Sequence, residues 1–379
     1  MLINTWYVAA ESTTLTDAPL GVTMLGQDFV VFRDKGGKAH CLSDTCIHRG
    51  GSLCRGKVIE GTVQCPYHGW RFDSSGACVA IPSLGPEATI PKRARVDSYP
   101  VQEKWGWVWV FLGDLPEAQR PPLPDFFPEY AAFETGATEW RFVRGTYMFD
   151  AAWTRVVENG LDNAHPFFVH KDFGNPDHPR VDTVDIEPRD FGSYMTRTQK
   201  PVDKNGLWAE KITKDRPDVK TELQFHASGP SVRIQMHLRP PMSQIIISAY
   251  TPVTDKQTLS WWIQGRNFFT EEKHDADSRK RVLTVFQEDG NIVNHIKPVH
   301  VPQSLSGELT IHPDAMSFAF RKMIKDYEAR GWRIDTKAMA LDDDVARAIP
   351  SPARGADPKN WVLDAVLLKP ARPLSAAAE

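Results

Sequence analysis

The chain has 379 residues, a quarter of them charged, and a formal net charge of −3. That length accommodates about two domains, each with its own core, and the near balance of charge argues against a nucleic-acid partner, which would need a basic face. No stretch approaches the roughly 18 apolar residues that span a bilayer, and the N-terminal MLINTWYVAAESTT lacks a basic region followed by an apolar run, so the expectation is a cytoplasmic protein with no membrane segment.

Up to about Gly113 the sequence is a series of short β-type runs with turn residues between them. FVVFRDKGGKAHCL reads as a hairpin with Gly36 and Gly37 at the turn, and WGWVWVFLGD as a buried strand that closes the region. In DLPEAQRPPLPDFFPEY, prolines 116, 121, 122, 124 and 128 deny the backbone the donors a regular element needs. A domain is therefore expected over 1–115, with its core at about 5–113, and a proline-rich linker over 116–130.

Beyond the linker a second domain is expected over 131–345. It should open with a helix around 150–163 and continue through alternating strands such as SVRIQMHLRP, SQIIISAYTPV and TLSWWIQGRNFF. Two helices follow, about 274–295 and about 313–330; the second starts at Pro313 and stops at Gly331, with Met316, Phe320, Met323, Ile324 and Tyr327 on a core face. Residues 346–379, rich in Ala, Pro and charge, read as an arm or a loose tail.

All five cysteines (Cys41, Cys46, Cys54, Cys65, Cys78) fall in the first domain. An odd number confined to one short region of a large chain suits a metal site better than a disulfide framework. Cys46-x-His48 and Cys65-x-x-His68 offer two thiolates and two imidazoles, each pair in a tight turn. A tetrahedral zinc accepts Cys₂His₂, and so does a [2Fe–2S] cluster with two Cys on one iron and two His on the other. Spacing favours the cluster: finger-type zinc sites separate the paired cysteines from the paired histidines, whereas here each loop supplies one of each. Gly50, Gly51 and Gly69 flank the loops, where backbone must pass close to a cluster. Cys41, Cys54 and Cys78 read as buried, reduced thiols.

In the second domain, ENGLDNAHPFFVHKD brings Asp162, His165 and His170 close together. Asn159, Asp162 and His165 follow at steps of three, so neighbours share a helical face. His165 and His170 are expected to converge because Pro166 bends or ends the helix at His165. In the helix SRKRVLTVFQEDGNIVNHI, residues Val282, Val285, Phe286, Val293 and Ile296 form an apolar face with Asp289 in its middle, and Glu288 about a quarter turn or more away. An inward carboxylate needs a partner. Either an arginine or a metal would serve; two histidines and one carboxylate make the facial triad of non-heme iron.

CIHRGGSL followed by CPYHGWRFDSSGACV resembles the cluster motif of the Rieske non-heme iron oxygenases, the aromatic ring-hydroxylating family. ENGLDNAHPFFVH resembles that family's D-x-x-H-x-x-x-x-H motif, and Asp289 in FQEDGNIV its distant aspartate. The resemblance implies an α+β chain: an all-β Rieske [2Fe–2S] domain and a helix-grip domain of antiparallel sheet and helices. It implies Cys46, His48, Cys65 and His68 on one cluster per subunit, and His165, His170 and Asp289 on one mononuclear Fe²⁺ per subunit. Asp162 matches the aspartate that bridges a Rieske histidine of one subunit to an iron histidine of the next, which implies a homotrimer with an electron path from His68 through Asp162 to His165. Asn159 matches a polar residue near the iron.

The implied activity is that of the terminal oxygenase (α subunit) of a multicomponent system. Electrons reach the iron through the cluster, and O₂ is activated for mono- or dioxygenation or oxidative demethylation of a small apolar, aromatic or polycyclic molecule. Length and layout resemble the monooxygenase and demethylase relatives or the carbazole-type dioxygenases. With no G-x-G-x-x-G fingerprint after a strand, NAD(P)H oxidation is expected in a separate reductase, with or without a ferredoxin, and Arg49, Arg55 and Lys57 offer a basic patch to an acidic donor. The alternative is a Rieske electron carrier fused to a ligand-binding domain. Trp261, Trp262, Phe268, Phe269, Ile245 and Ile247 are the apolar strand residues available to a pocket, most of them core.

Overall fold

The computed structural model describes residues 1–171, 175–181, 185–200, 218–302, 304–342 and 344–371. The chain divides into two units: Met1–Pro122 with Pro252–Asp255 and everything from Asp326 onward, and Leu123–Thr251 with Lys256–Lys325.

Apart from one short parallel pair, Arg347–Ala348 with Asp364–Ala365, the first unit is built from short antiparallel strands. They are β1 (Thr5–Glu11), β2 (Leu20–Met24), β3 (Gln27–Arg33), β4 (Ala39–Ser43), β5 (Lys57–Ile59), β6 (Thr62–Gln64), β7 (Arg71–Phe72), β8 (Cys78–Ala80), β9 (Ser98–Tyr99), β10 (Val101–Lys104) and β11 (Trp107–Leu112). Their sheets have the orders β1-β11-β10, β2-β3-β4-β9 and β5-β6-β7-β8. β11 is paired on both edges and buried throughout, which is why its sequence shows a continuous apolar run instead of alternation. The β3–β4 hairpin turns at Gly37, whose φ of 80° suits glycine; the Asp34 carboxylate fixes the turn by accepting the Gly36 and Lys38 amides.

The segment after Asp326, part of it expected in the second domain and the rest as an arm or loose tail, folds into this first unit. Ile334, Ile349 and Val366 share a buried cluster with Val31, Tyr99 and Val108. Asp97, almost wholly buried, accepts Arg354 Nη2 at 2.6 Å and Ser351 Oγ at 2.7 Å. These anchors make it a fastened arm, not a loose tail. Residues 372–379 of the expected tail lie outside the described residues.

The second unit holds one seven-stranded antiparallel sheet: β12 (Arg141–Phe149), β13 (Glu187–Arg189), β14 (Gly192–Gln199), β15 (Val219–His226), β16 (Ser231–Arg239), β17 (Met242–Pro252) and β18 (Thr258–Arg266), in the order β12-β18-β17-β16-β15-β14-β13. Its helices include α1 (Pro128–Glu134), α2 (Trp153–Leu161), α3 (Pro166–Val169), α4 (Asp275–Val293) and, up to Lys325, α5 (Ala315–Ala329). α5 buries Met316, Phe320 and Tyr327, the face its periodicity predicts. α2 and α4 pack on the sheet and enclose a cavity of about 460 Å³ with it. Among the described residues no helix is long and apolar enough to cross a membrane.

Candidate metal centres

In the first unit, two loops repeat one hydrogen-bond pattern. Between β4 and β5, the Cys46 amide donates to the Gly51 carbonyl at 2.9 Å, and the Gly50 amide to the Cys46 carbonyl at 2.9 Å. Between β6 and β7, the Cys65 amide donates to Trp70 at 2.8 Å, and the Gly69 amide to Cys65 at 3.1 Å. Gly50 and Gly69 occupy matching positive φ values, 71° and 72°, a conformation that strains any side chain bearing a Cβ.

The loops face each other. A Cβ added at Gly51 would stand 3.0 Å from Cys65 Sγ. The sulfurs are the inner pair: Cys46 and Cys65 are 1% and 2% exposed. The imidazoles of His48 and His68, centroids 4.4 Å apart, lie further out, His48 half-buried and His68 exposed. Trp70 stacks on His48 at 4.6 Å, and Tyr67 packs against His68 at 3.9 Å.

Burial, reinforced by the neighbouring Cys65, pushes the Cys46 thiol up to about 12, so a thiolate there needs a bound cation. The buried Nδ1 of His48 has no hydrogen-bond partner among the described residues. Two inner thiols, two outer imidazoles and an orphaned ring nitrogen fit a cluster with Cys₂ on one iron and His₂ on the other. The five cysteines form no disulfide. Cys41 and Cys78 are buried, and Cys54 Sγ lies 3.2 Å from Ser52 Oγ.

The second centre lies wholly in the second unit. Ligand atoms of His165, His170 and Asp289 fall within 4.8 Å of one another. Asp289 Oδ1 is 3.5 Å from His165 Nε2 and 3.3 Å from His170 Nε2. That oxygen is buried and accepts no hydrogen bond among the described residues, so its close neighbours are the two imidazole nitrogens. This donor set suits ferrous iron. Asp289 is 5% exposed, in line on α4 with buried Val282, Phe286 and Val293, and its described ion pairs are with histidine.

The chain breaks earlier than Pro166 suggests. Asp162 leaves the helix with φ −75°, ψ 134°, while His165 remains helical at φ −57°, ψ −35° and opens the single turn of α3. The helical steps of three therefore hold from Asn159 to Asp162 and not on to His165. Asp162 starts the new turn by accepting the Ala164 and His165 amides at 2.6 and 2.8 Å, a capping interaction that outweighs the pre-proline bias. Burial pushes the Asp162 carboxyl up, but its bonds to His165 and these amides win and hold it below the usual range. Its Oδ1 also lies 3.4 Å from His165 Nδ1, and the side chain is 35% exposed.

Glu288, which helical phasing sets aside, has its own place. Its Oε2 lies 3.0 Å from His170 Nδ1, orienting the ring as carboxylates behind metal-bound histidines do. Burial pushes His170 down, but Asp289 and Glu288 together raise it above its ordinary value. A second carboxylate adjacent to the chosen one was the available signal.

Asn159, Asp162, His165, His170 and Asp289 border the cavity. Its wall comes from the face of β17 opposite to the one anticipated: Gln244, Ile246 and Ser248 line it, while Ile245 and Ile247 are fully buried away from it, and Trp261, Trp262, Phe268 and Phe269 are absent from the lining. The run Ile245–Ile246–Ile247 puts an isoleucine on each face of this strand, so the apolar run alone did not choose between them.

Comparison with known proteins assigns a family description to each part. Residues 5–100 match the Rieske [2Fe-2S] domain, and residues 149–330 match the vanillate O-demethylase oxygenase C-terminal domain. A Comamonas testosteroni protein assigned as the iron-sulfur subunit of a toluene-4-sulfonate monooxygenase system is 36% identical over 324 residues, covering 76% of this chain and 86% of its own. Among solved structures, NdmA of Pseudomonas putida CBB5 with caffeine superposes with a TM-score of 0.73 at 23% identity, over 86% of this chain and 91% of its own. Dicamba monooxygenase bound to 3,6-dichlorosalicylic acid gives 0.72 at 23%, over 88% and 99%. These two share the fold.

Proposed function

The chain belongs to the Rieske oxygenases, and we propose that it is the terminal oxygenase of a multicomponent system acting on a small aromatic molecule. The observation that carries the reading is the buried, hydrogen-bond-free Asp289 oxygen held against two imidazole nitrogens at the edge of an otherwise largely apolar cavity. Cys46 and Cys65 would hold the inner iron of the cluster, His48 and His68 the outer one, and His165, His170 and Asp289 the mononuclear Fe²⁺. When bound, the cluster supplies single electrons and the ferrous centre activates O₂.

The chain's own residues then position and exclude. Glu288 holds the His170 ring, and Asp162 fixes the turn that aims His165. Asn159 at the cavity edge orients the ligand or substrate. Apolar residues of β16, β17 and α4 exclude water and seat the substrate ring. Asp162 uses one oxygen within its own turn and keeps part of its surface exposed, which supports a bridging role toward His68 of a neighbouring subunit in a homotrimer. The electrons are proposed to come from a cytoplasmic NAD(P)H reductase, with or without a ferredoxin. Relatives named for toluene-4-sulfonate, and fold neighbours solved with caffeine or 3,6-dichlorosalicylic acid, support the small aromatic class.

The test reconstitutes the protein with a ferredoxin and reductase under ¹⁸O₂ and follows products by mass. Substrate-dependent product carrying ¹⁸O, lost in His165→Ala, is expected. Cluster reduction with no oxygenated product from any aromatic compound, unchanged in His165→Ala, would point instead to an electron carrier fused to a binding domain.

A further inference from the structure

Among the described residues, Arg197, Lys280 and Arg281 are the lysines and arginines that border the cavity. Arg281 is paired with Asp277 at 2.9 Å, and Lys280 is exposed to solvent. Arg197, on β14, is placed differently. Its Nη1 donates to the Asn163 carbonyl at 2.5 Å, and its guanidinium lies 6.0 Å from the centre of the Phe167 ring. No ion pair joins it to a carboxylate among the described residues; Asp162 offsets its charge only through space. Burial pushes the guanidinium down to about 10, the direction expected of a cation whose charge is under-compensated.

The group is also held in place. Asn163, whose carbonyl it grips, is nearly fully buried, and its own side chain donates to Met195 Sδ and to the Pro313 carbonyl, each at 3.4 Å. Asn163 precedes the ligand His165 by two residues, so the guanidinium borders the metal-binding turn. A guanidinium has five N–H donors in a rigid fork, and the Asn163 carbonyl takes one. A fixed, partly desolvated fork on a mostly apolar cavity matches a planar oxyanion, which it can bind through two parallel hydrogen bonds.

We propose that Arg197 anchors an anionic group of the substrate, so that the enzyme acts on an aromatic carboxylate or sulfonate and not on a neutral hydrocarbon. Val232, Ile234, Ile246 and Phe286 offer the apolar surface for the ring. The proposal rests on the cavity being the oxygenase substrate site. It predicts selectivity by charge: a site built to hydrogen-bond an oxyanion leaves its donors unpaired with a neutral analogue.

The test is calorimetric binding to the metal-loaded protein of three matched pairs: 4-methylbenzoate and 4-methylbenzamide, naphthalene-2-carboxylate and its carboxamide, and benzenesulfonate and benzenesulfonamide. At least one anion should bind roughly 10–100-fold more tightly than its neutral partner, the range for hydrogen bonds to a charged group. Arg197→Gln should erase that preference while leaving the amide affinity unchanged, which doubles as the folding control. Arg197→Lys, keeping charge without the fork, should retain part of it, and it decides the matter if the Gln variant does not fold. No preference for any anion in the native protein, or a preference that survives in Arg197→Gln or is undiminished in Arg197→Lys, overturns the proposal and reduces Arg197 to a clamp on the Asn163 carbonyl. Iron and sulfide measured on the same samples separate the two readings, because missing mononuclear iron fails the oxygenase assignment whatever the binding data say about Arg197.

Discussion

In the first unit, four candidate ligands sit on two loops between Cys46 and Trp70 that repeat each other's hydrogen bonds and glycine conformations. In the second, two histidines come from one bent segment and the carboxylate from a helix so distant that Glu288, its neighbour, is 118 residues from His170. The first arrangement is local and set by turns. The second depends on α2, α4 and the sheet packing correctly, so it should be sensitive to substitutions far from any ligand in sequence.

The sharpest way to separate the two is to disable one. Cys65→Ser should abolish the cluster's visible absorption and bring turnover to background while the second unit still takes up its iron; turnover retained without the cluster would break the account of electron entry.

Next in size is Arg354→Ala, which strands the buried Asp97 carboxylate. Losing one partner of a buried pair costs about 3–5 kcal/mol, and because both residues belong to the first unit, a thermal ramp should release the cluster before the mononuclear iron. Simultaneous release would mean that the two units do not unfold separately.

Glu288→Ala sharpens the comparison from the other side. Removing a carboxylate behind a metal-bound histidine lowers metal affinity about 10–100-fold, so competition with a chelator should strip the mononuclear iron early and leave the cluster spectrum intact. Unchanged iron retention would remove Glu288 from the site.

The smallest effect belongs to Glu103 and Arg33, a bidentate surface pair of the first unit at 2.8 and 3.0 Å. Hydrogen bonds from Arg33 hold the Glu103 carboxyl below its usual value despite some burial. A lowered folded-state value means the stabilisation is complete above the ordinary glutamate range and disappears as pH falls through the lower folded value. Glu103→Gln should cost at most about 1 kcal/mol at pH 7 and nothing near pH 3 by urea unfolding; a cost that grows in acid would reverse the sign.

The same contrast explains what could be read in advance. The cluster loops were legible because a thiol, an imidazole and a glycine recur at short spacing, and spacing survives folding. Asp289 was legible because a carboxylate among valines and a phenylalanine on one helical face has to be paid for by a partner. The bend at Asp162 was not, because a capping carboxylate and a following proline compete over three residues and local rules do not rank them. The cavity face of β17 was hidden because Ile245, Ile246 and Ile247 look alike, and only the sheet's neighbours assign them. The C-terminal arm was read as loosely attached because its anchors, Ile349, Ser351 and Arg354, are sparse and their partner Asp97 lies in a distant part of the sequence.

The most direct test of two centres in one chain is metal and sulfide content per chain in anaerobically prepared protein beside Asp289→Ala. The native protein should hold about three irons and two acid-labile sulfides, and the variant about two irons with sulfide unchanged. Two irons in both proteins after reconstitution would contradict the mononuclear site, and zinc without sulfide would contradict both.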